Sequence, residues 1–242
     1  MSMTTLEFVS TSADGLSESA TPLVSAAALI AGLGSHPTVT IPVVAGDEPD
    51  AEAVWRWLAE PAEFFGIAMP AAAQLRGALT DFTGELLRRH GRLTAAVTVL
   101  VADGRFIVSG TPITPVRPEP VHLAVCAAAP AKAYWQQMAA RTTSRAAELL
   151  IERDLAAAGH ADAVPVDAAH FGVPVLGALV CDTPGGRVGL GAERLGWLAA
   201  AGLLAADTVT DGPLDLAAVL RAWWVSPIFE THPVATIGGA AV

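Results

Sequence analysis

Few side chains in this sequence can act as nucleophile, base or anion receptor, and their types narrow the chemistry. Lysine and arginine together number 14, and the sequence holds one lysine, Lys132, against thirteen arginines. High-GC codon usage accounts for that bias, yet any reaction that needs a lysine amine has one candidate. Cys126 and Cys181 lack C-x-x-C spacing and form no disulfide framework, so reduced thiols are expected. His160, Asp162 and His170 are metal-capable types without H-x-x-x-H spacing, and no metal site is expected. There is no G-x-S-x-G elbow and no Walker loop. The glycine-rich run Gly185–Gly191 lacks G-x-G-x-x-G spacing and reads as a turn, with a nucleotide cradle as the alternative. Trp55 and Trp57 flank Arg56; they fill a core or line an apolar pocket beside the cation. His232, in Thr231-His232-Pro233, is a solvated turn residue or a group that moves a proton.

These residues sit in a chain of 242, 52% hydrophobic and 16% charged, with a mean hydropathy of +0.48. Such a composition excludes disorder. The longest apolar stretches, Pro22–Gly34 and Leu195–Ala206, fall short of the ~18 residues a spanning helix needs. Met1–Ser10 carries no basic residue, so a signal peptide is not expected. The expectation is a soluble, cytoplasmic, globular protein. Acidic residues number 24, giving a net charge of -10. Phosphate neutralisation needs clustered cations, so nucleic acid is not an expected partner.

Periodicity supplies the elements. Residues 1–50 read as short strands and loops, with turns at Asp14-Gly15 and Ala45-Gly46-Asp47 and an apolar segment from Leu23 to Leu33. A helix starts near Asp50 and is expected to stop at Pro61. Leu75, Leu79, Phe82 and Leu86 lie on one helical face, and Arg88, Arg89, His90 and Gly91 close that helix. Thr94–Val101 and Arg105–Ser109 read as a hairpin around Ala102-Asp103-Gly104. The proline-rich Thr111–Pro120 is the expected connector, dividing the chain into residues 1–115 and 116–242. Val121–Ala128 reads as a strand, followed by a helix of ~25 residues to Ala158. Val164–Val166 and Val173–Val180 read as strands, Glu193–Ala206 and Leu214–Ala222 as helices, and Trp223–Ser226 and Val234–Ile237 as closing strands. The order is that of an α/β protein in two parts.

Four patches in this order resemble the class IV aminotransferase superfamily, the fold type IV pyridoxal phosphate (PLP) enzymes. That group includes branched-chain and D-amino acid aminotransferases and aminodeoxychorismate lyase. The first patch is Ala53-Val54-Trp55-Arg56-Trp57-Leu58 with Phe64-Phe65-Gly66-Ile67 and Leu75–Leu87, where the family shows H-L-x-R-L and L-G-[IL]. The second is Arg141-Thr142-Thr143-Ser144-Arg145, then Leu149-Leu150-Ile151 and Ala158-Gly159-His160-Ala161-Asp162, where the lyase branch reads K-x-x-N-R. The third is Gly191-Ala192-Glu193-Arg194, similar to G-I-T-R. The fourth runs from Leu220 through Val225-Ser226 to His232-Pro233-Val234-Ala235-Thr236-Ile237-Gly238-Gly239, similar to P-V-x-x-I-D-G. The resemblance covers roughly residues 50–240. It implies an N-terminal α/β layer, a C-terminal barrel-like half, a site between them and a homodimer.

The resemblance also implies PLP, held by a lysine imine, a carboxylate on the pyridine nitrogen and a phosphate cup. Counting back from Gly159 puts the lysine position at Arg141, whose guanidinium cannot form an imine. The carboxylate position falls at Pro174, and no acid stands between Asp167 and Asp182. Glu193 takes the threonine position of the cup. Arg56 lies one residue from the phosphate-binding arginine, which an ungapped count puts at Trp57. Ser226 falls in the Ser/Thr turn that contacts phosphate, and the Asp182–Gly191 segment is shorter than is usual in the family. The expectation is therefore a divergent protein without an internal aldimine and with no cofactor. It would bind or act on a small anionic molecule resembling an amino acid or chorismate, with Arg141, Arg145 and Arg56 clamping carboxylates. Ser144 and Ser226 would join them, and His232 would move a proton. A catalytically silent dimeric partner protein is one alternative. A PLP enzyme using Lys132 is the other.

Overall fold

The structure, a computed structural model, describes residues 6–11, 15–18, 35–102, 104–167, 170–204, 210–211 and 214–242. Asp14, the Leu23–Leu33 segment, Asp103 and residues 205–206 of the expected 193–206 helix lie outside them. The chain folds as two compact units. One comprises Met1–Ile113 with Lys132–Arg145, the other Thr114–Ala131 with Ala146–Val242.

The first unit is an antiparallel sheet covered by two helices. Strands β1 (Leu6–Thr11), β2 (Gly15–Glu18), β3 (Thr38–Val44), β4 (Thr94–Ala102) and β5 (Arg105–Ile113) lie in the order β2-β1-β5-β4-β3. The β4–β5 hairpin pairs Ala102 with Arg105, and Gly104 takes φ +67°. That is the positive φ demanded by a two-residue hairpin loop, and it makes the turn as the sequence predicts. Pro42 interrupts no ladder because β3 is an edge strand.

Helix α1 (Ala51–Phe65) starts where Asp50 accepts a hydrogen bond from the Ala53 N–H at 2.9 Å, and it ends at left-handed Gly66. Helix α2 (Ala72–His90) buries Leu75, Leu79, Phe82 and Leu86, the face read from the sequence. Those side chains are fully buried, as are Val97, Val99, Phe106 and Val108 of the sheet.

Two expectations in this unit are corrected. Helix α1 continues through Pro61 for four more residues. The helix of ~25 residues is two helices, α3 (Tyr134–Ala139) and α4 (Ala146–Ala157), the second belonging to the other unit. Hydroxyl groups compete for the main chain at the break. The Thr142 hydroxyl donates to the Ala139 carbonyl at 2.7 Å and accepts from the Ser144 N–H at 3.2 Å.

The second unit is built on one sheet. Its strands are β6 (Val121–Ala127), β7 (Asp162–Asp167), β8 (His170–Phe171), β9 (Ala178–Thr183), β10 (Gly186–Leu190), β11 (Thr210–Asp211), β12 (Leu214–Asp215), β13 (Arg221–Val225), β14 (Thr231–Ile237) and β15 (Ala240–Ala241). They run in the order β11-β10-β9-β13-β14-β6-β7-β8-β12, with β15 beside β14. The edge strands β11 and β12 are separated by two residues in the chain. A link that short spans only about 10 Å, so the two edges must meet and the sheet curls into a nearly closed barrel. Leu123, Val164, Leu179, Cys181, Trp224 and Ile237 fill it. Helix α5 (Ala192–Ala200) follows β10 and begins at Gly191.

The glycine-rich run 185–191 is thus a turn, a strand and a helix start. The expected helix at 214–222 is instead β12, a short 3-10 turn over Leu216–Ala218 and the start of β13. Its apolar residues serve the closure of the barrel rather than one helical face. The expected strand at 173–180 begins only at Ala178, because the backbone N–H groups of Leu176 and Gly177 bond a carboxylate instead of a neighbouring strand.

Candidate functional site

Position 141 is built by the segment that returns to the first unit. The Thr38 N–H donates to the Arg141 carbonyl at 3.0 Å, and the Thr143 N–H to the His36 carbonyl at 2.9 Å, which ties residues 141–143 to the start of β3. The Arg141 side chain then crosses to α1. One guanidinium nitrogen donates to the main-chain carbonyl of Trp57 and another to the Glu60 carboxylate. The guanidinium carbon lies 3.6 Å from the centroid of the Trp57 ring, a cation–π stack. Only 13% of the side chain is exposed, and Nε is buried without a hydrogen-bond partner. The Arg141 hydrogen bond holds the Glu60 carboxyl below its ordinary value. Tyr134 donates to the same carboxylate at 3.2 Å; burial and this bond raise its phenol.

The remaining candidates in this unit are dispersed. Arg56 projects from α1 into solvent with a 3.4 Å contact from Nε to the Glu52 carbonyl. Ser144 and Arg145 are exposed on the turn after Arg141. Lys132 is exposed ahead of α3, and its carbonyl accepts from the Gln137 amide at 2.9 Å. Trp55 donates to the Pro70 carbonyl at 2.8 Å. The two indoles that bracket Arg56 therefore contact Pro70 and Arg141 rather than forming a pocket around it. Phe64, Phe65, Tyr134 and Trp135 are exposed nearby, with the rings of Phe64 and Tyr134 5.5 Å apart, edge to face.

In the second unit, Ser226 and His232 bracket the β13–β14 connection. The Ser226 hydroxyl oxygen accepts from the Glu230 N–H at 3.0 Å, so it closes the turn. Within that turn Phe229 takes φ +67°, a left-handed conformation costly for an aromatic residue, and it is buried. Arg194, in the first turn of α5, donates to the carbonyls of Pro227 at 2.8 Å and Leu176 at 3.2 Å. It fastens this turn to the 172–177 loop. His232 pairs with Trp224 across the strands, and its Nδ1 lies 3.3 Å from the Glu119 carbonyl. Glu193 is exposed beside Arg194, and Pro174 is buried.

Two groups escaped the sequence reading. The first is Glu60 with the Trp57 carbonyl, signalled by a proline four residues past Trp57, since proline leaves that carbonyl without its helical donor. The second is Asp162, treated in the sequence as a weak metal candidate and here fully buried. Its carboxylate accepts from the N–H groups of Ala163 at 2.7 Å, Leu176 at 3.0 Å and Gly177 at 2.8 Å, and from the Trp224 indole at 2.9 Å. Those four donors satisfy the buried carboxylate within the protein. Among the described residues no cluster of His, Cys, Asp or Glu is placed to hold a metal ion, and no helix is long and apolar enough to cross a membrane. Burial pushes the Cys181 thiol up to about 12 and raises that of Cys126.

No protein-family model matches this chain, and no curated protein matches its sequence. Solved structures do match its fold. A hypothetical aminotransferase from Mycobacterium tuberculosis, in a PLP-bound form, is 19% identical with a TM-score of 0.73 over 98% of this chain and 92% of that one. A fold IV transaminase from Curtobacterium pusillum is 15% identical, with a TM-score of 0.71 over 98% and 93%. A Legionella pneumophila protein provisionally named 4-amino-4-deoxychorismate lyase is 13% identical, with a TM-score of 0.60 over 87% and 85%. The chain has the fold of the fold type IV aminotransferases, as the four sequence patches suggested.

Proposed function

We propose that this protein uses the fold type IV scaffold for binding, without PLP chemistry. The observation that carries the reading is the engagement of Arg141. At the position the resemblance gives to the amine stands a guanidinium stacked on Trp57 and bonded to Trp57 and Glu60. The donor set elsewhere supports it. A pyridine nitrogen needs a carboxylate, and the 172–177 loop offers buried Pro174 and no acid. A phosphate needs uncharged donors and cations, and the first turn of α5 offers Glu193 while Arg194 is bonded to carbonyls. Lys132, the one lysine, is exposed. These residues do not fit PLP.

The ligand class is a small carboxylate, for which the exposed Arg56 and Arg145 are separate candidate contacts, while Arg141 is already bonded to Glu60 and Trp57. The test has two arms. Purified protein incubated with PLP is expected to show no aldimine absorbance and no borohydride-fixed adduct; a reducible band mapped to Lys132 would overturn the reading in favour of a PLP enzyme. Calorimetric titration with 2-oxoglutarate as probe is expected to give binding that Arg56→Ala or Arg145→Ala weakens about tenfold, the effect of losing ~1.4 kcal/mol. Absent or unaltered binding would remove the small-anion assignment.

A further inference from the structure

We propose that Arg141 is the missing main-chain donor of helix α1: its guanidinium replaces the N–H that Pro61 lacks, so Pro61 dictates an arginine at position 141. In an α-helix the N–H of residue 61 would donate to the carbonyl of residue 57. Proline has no N–H, and its ring crowds that same carbonyl, which is why helices normally stop there. Here α1 runs on to Phe65 with Pro61 buried inside it. The carbonyl so orphaned, that of Trp57, is the one that accepts from Arg141.

Arginine suits the place for a geometric reason. Its planar fork presents parallel donors, which serve Trp57 and Glu60 together, and its face stacks on the Trp57 ring at 3.6 Å. An ammonium is a point charge without a plane, so it cannot stack and bridge in the same way. The main chain at 141 is also fixed, held to Met138 and Thr38 by hydrogen bonds of 3.1 and 3.0 Å. The inference rests on the reading that position 141 supplies no amine, and adds the reason it is held by another task.

A double-mutant cycle tests it. In the full chain, Arg141→Ala is expected to lower the thermal midpoint by about 4–8 °C, the loss of a charged hydrogen bond from a protein of this size. In the Pro61→Ala background a normal N–H returns to the Trp57 carbonyl, so the same substitution is expected to lower the midpoint by less than half as much. Equal losses in the two backgrounds would overturn the proposal. Should Arg141→Ala fail to fold, Arg141→Lys runs the same cycle, because it keeps one cation for Glu60 and loses the fork. A PLP band in the unmodified protein would sink the binding reading and leave this coupling standing; additive losses would sink the coupling and leave the binding reading.

Discussion

At the scale of single residues, buried polar groups in this protein take their roles from the backbone groups they complete. Arg141 completes a broken helix, and Asp162 completes a loop that forms no strand. Asp162 makes the sharper prediction, because its partners are all donors. In Asp162→Asn the new amide nitrogen would face either the N–H groups of Ala163 and Leu176 or those of Gly177 and the Trp224 indole, donor against donor. Removing the acceptor from buried donors costs about 3 kcal/mol in total. Denaturant unfolding followed by tryptophan fluorescence should show that loss; a change below about 1 kcal/mol would mean that the carboxylate is dispensable. The sequence exposed these residues unequally. The lone lysine was legible from composition, and the arginine at position 141 from the resemblance. The partners of Arg141 were not, since Glu60 lies 81 positions away and a fold is needed to bring it near.

At the scale of elements, local pattern succeeded where one face of one element meets the core. Leu75, Leu79, Phe82 and Leu86 were read as a helical face and are buried as one. Pattern failed where a distant group overrides a local rule. Pro61 should end α1, and a side chain from another segment allows it to continue. Residues 214–222 carry enough alanine and leucine for a helix, but the barrel needs a strand there to close. The packing of α2 on β5 gives a prediction at this scale. Gly110 of β5 lies against Phe82, and a Cβ added there would sit 2.6 Å from the ring. Overpacking a fixed aromatic costs ~1–3 kcal/mol. Gly110→Ala should destabilise the protein accordingly in denaturant melts, and Phe82→Leu in the same chain should relieve most of the loss. No relief would mean that α2 is free to move away from the sheet.

At the scale of the whole molecule, the two units differ in construction, and Cys181 reports on one of them. It lies in the barrel core, and burial pushes its thiol up to about 12, so the reactive thiolate is absent at ordinary pH. In native protein an alkylating reagent should label Cys126 slowly and leave Cys181 unmodified. Both should react at equal rates in denaturant, as mass spectrometry of the tryptic peptides would show. Rapid native labelling of Cys181 would mean that the barrel opens. Both units are discontinuous in sequence, and residues 132–145 belong to the first although part of the second precedes them. On a ribosome adding about 5–20 residues per second, α1 emerges long before the arginine that completes it, 84 positions later than Trp57. For roughly 10 s the nascent helix carries an unanswered carbonyl at its proline, and the first unit reaches its finished state only after the second has begun to leave the exit tunnel.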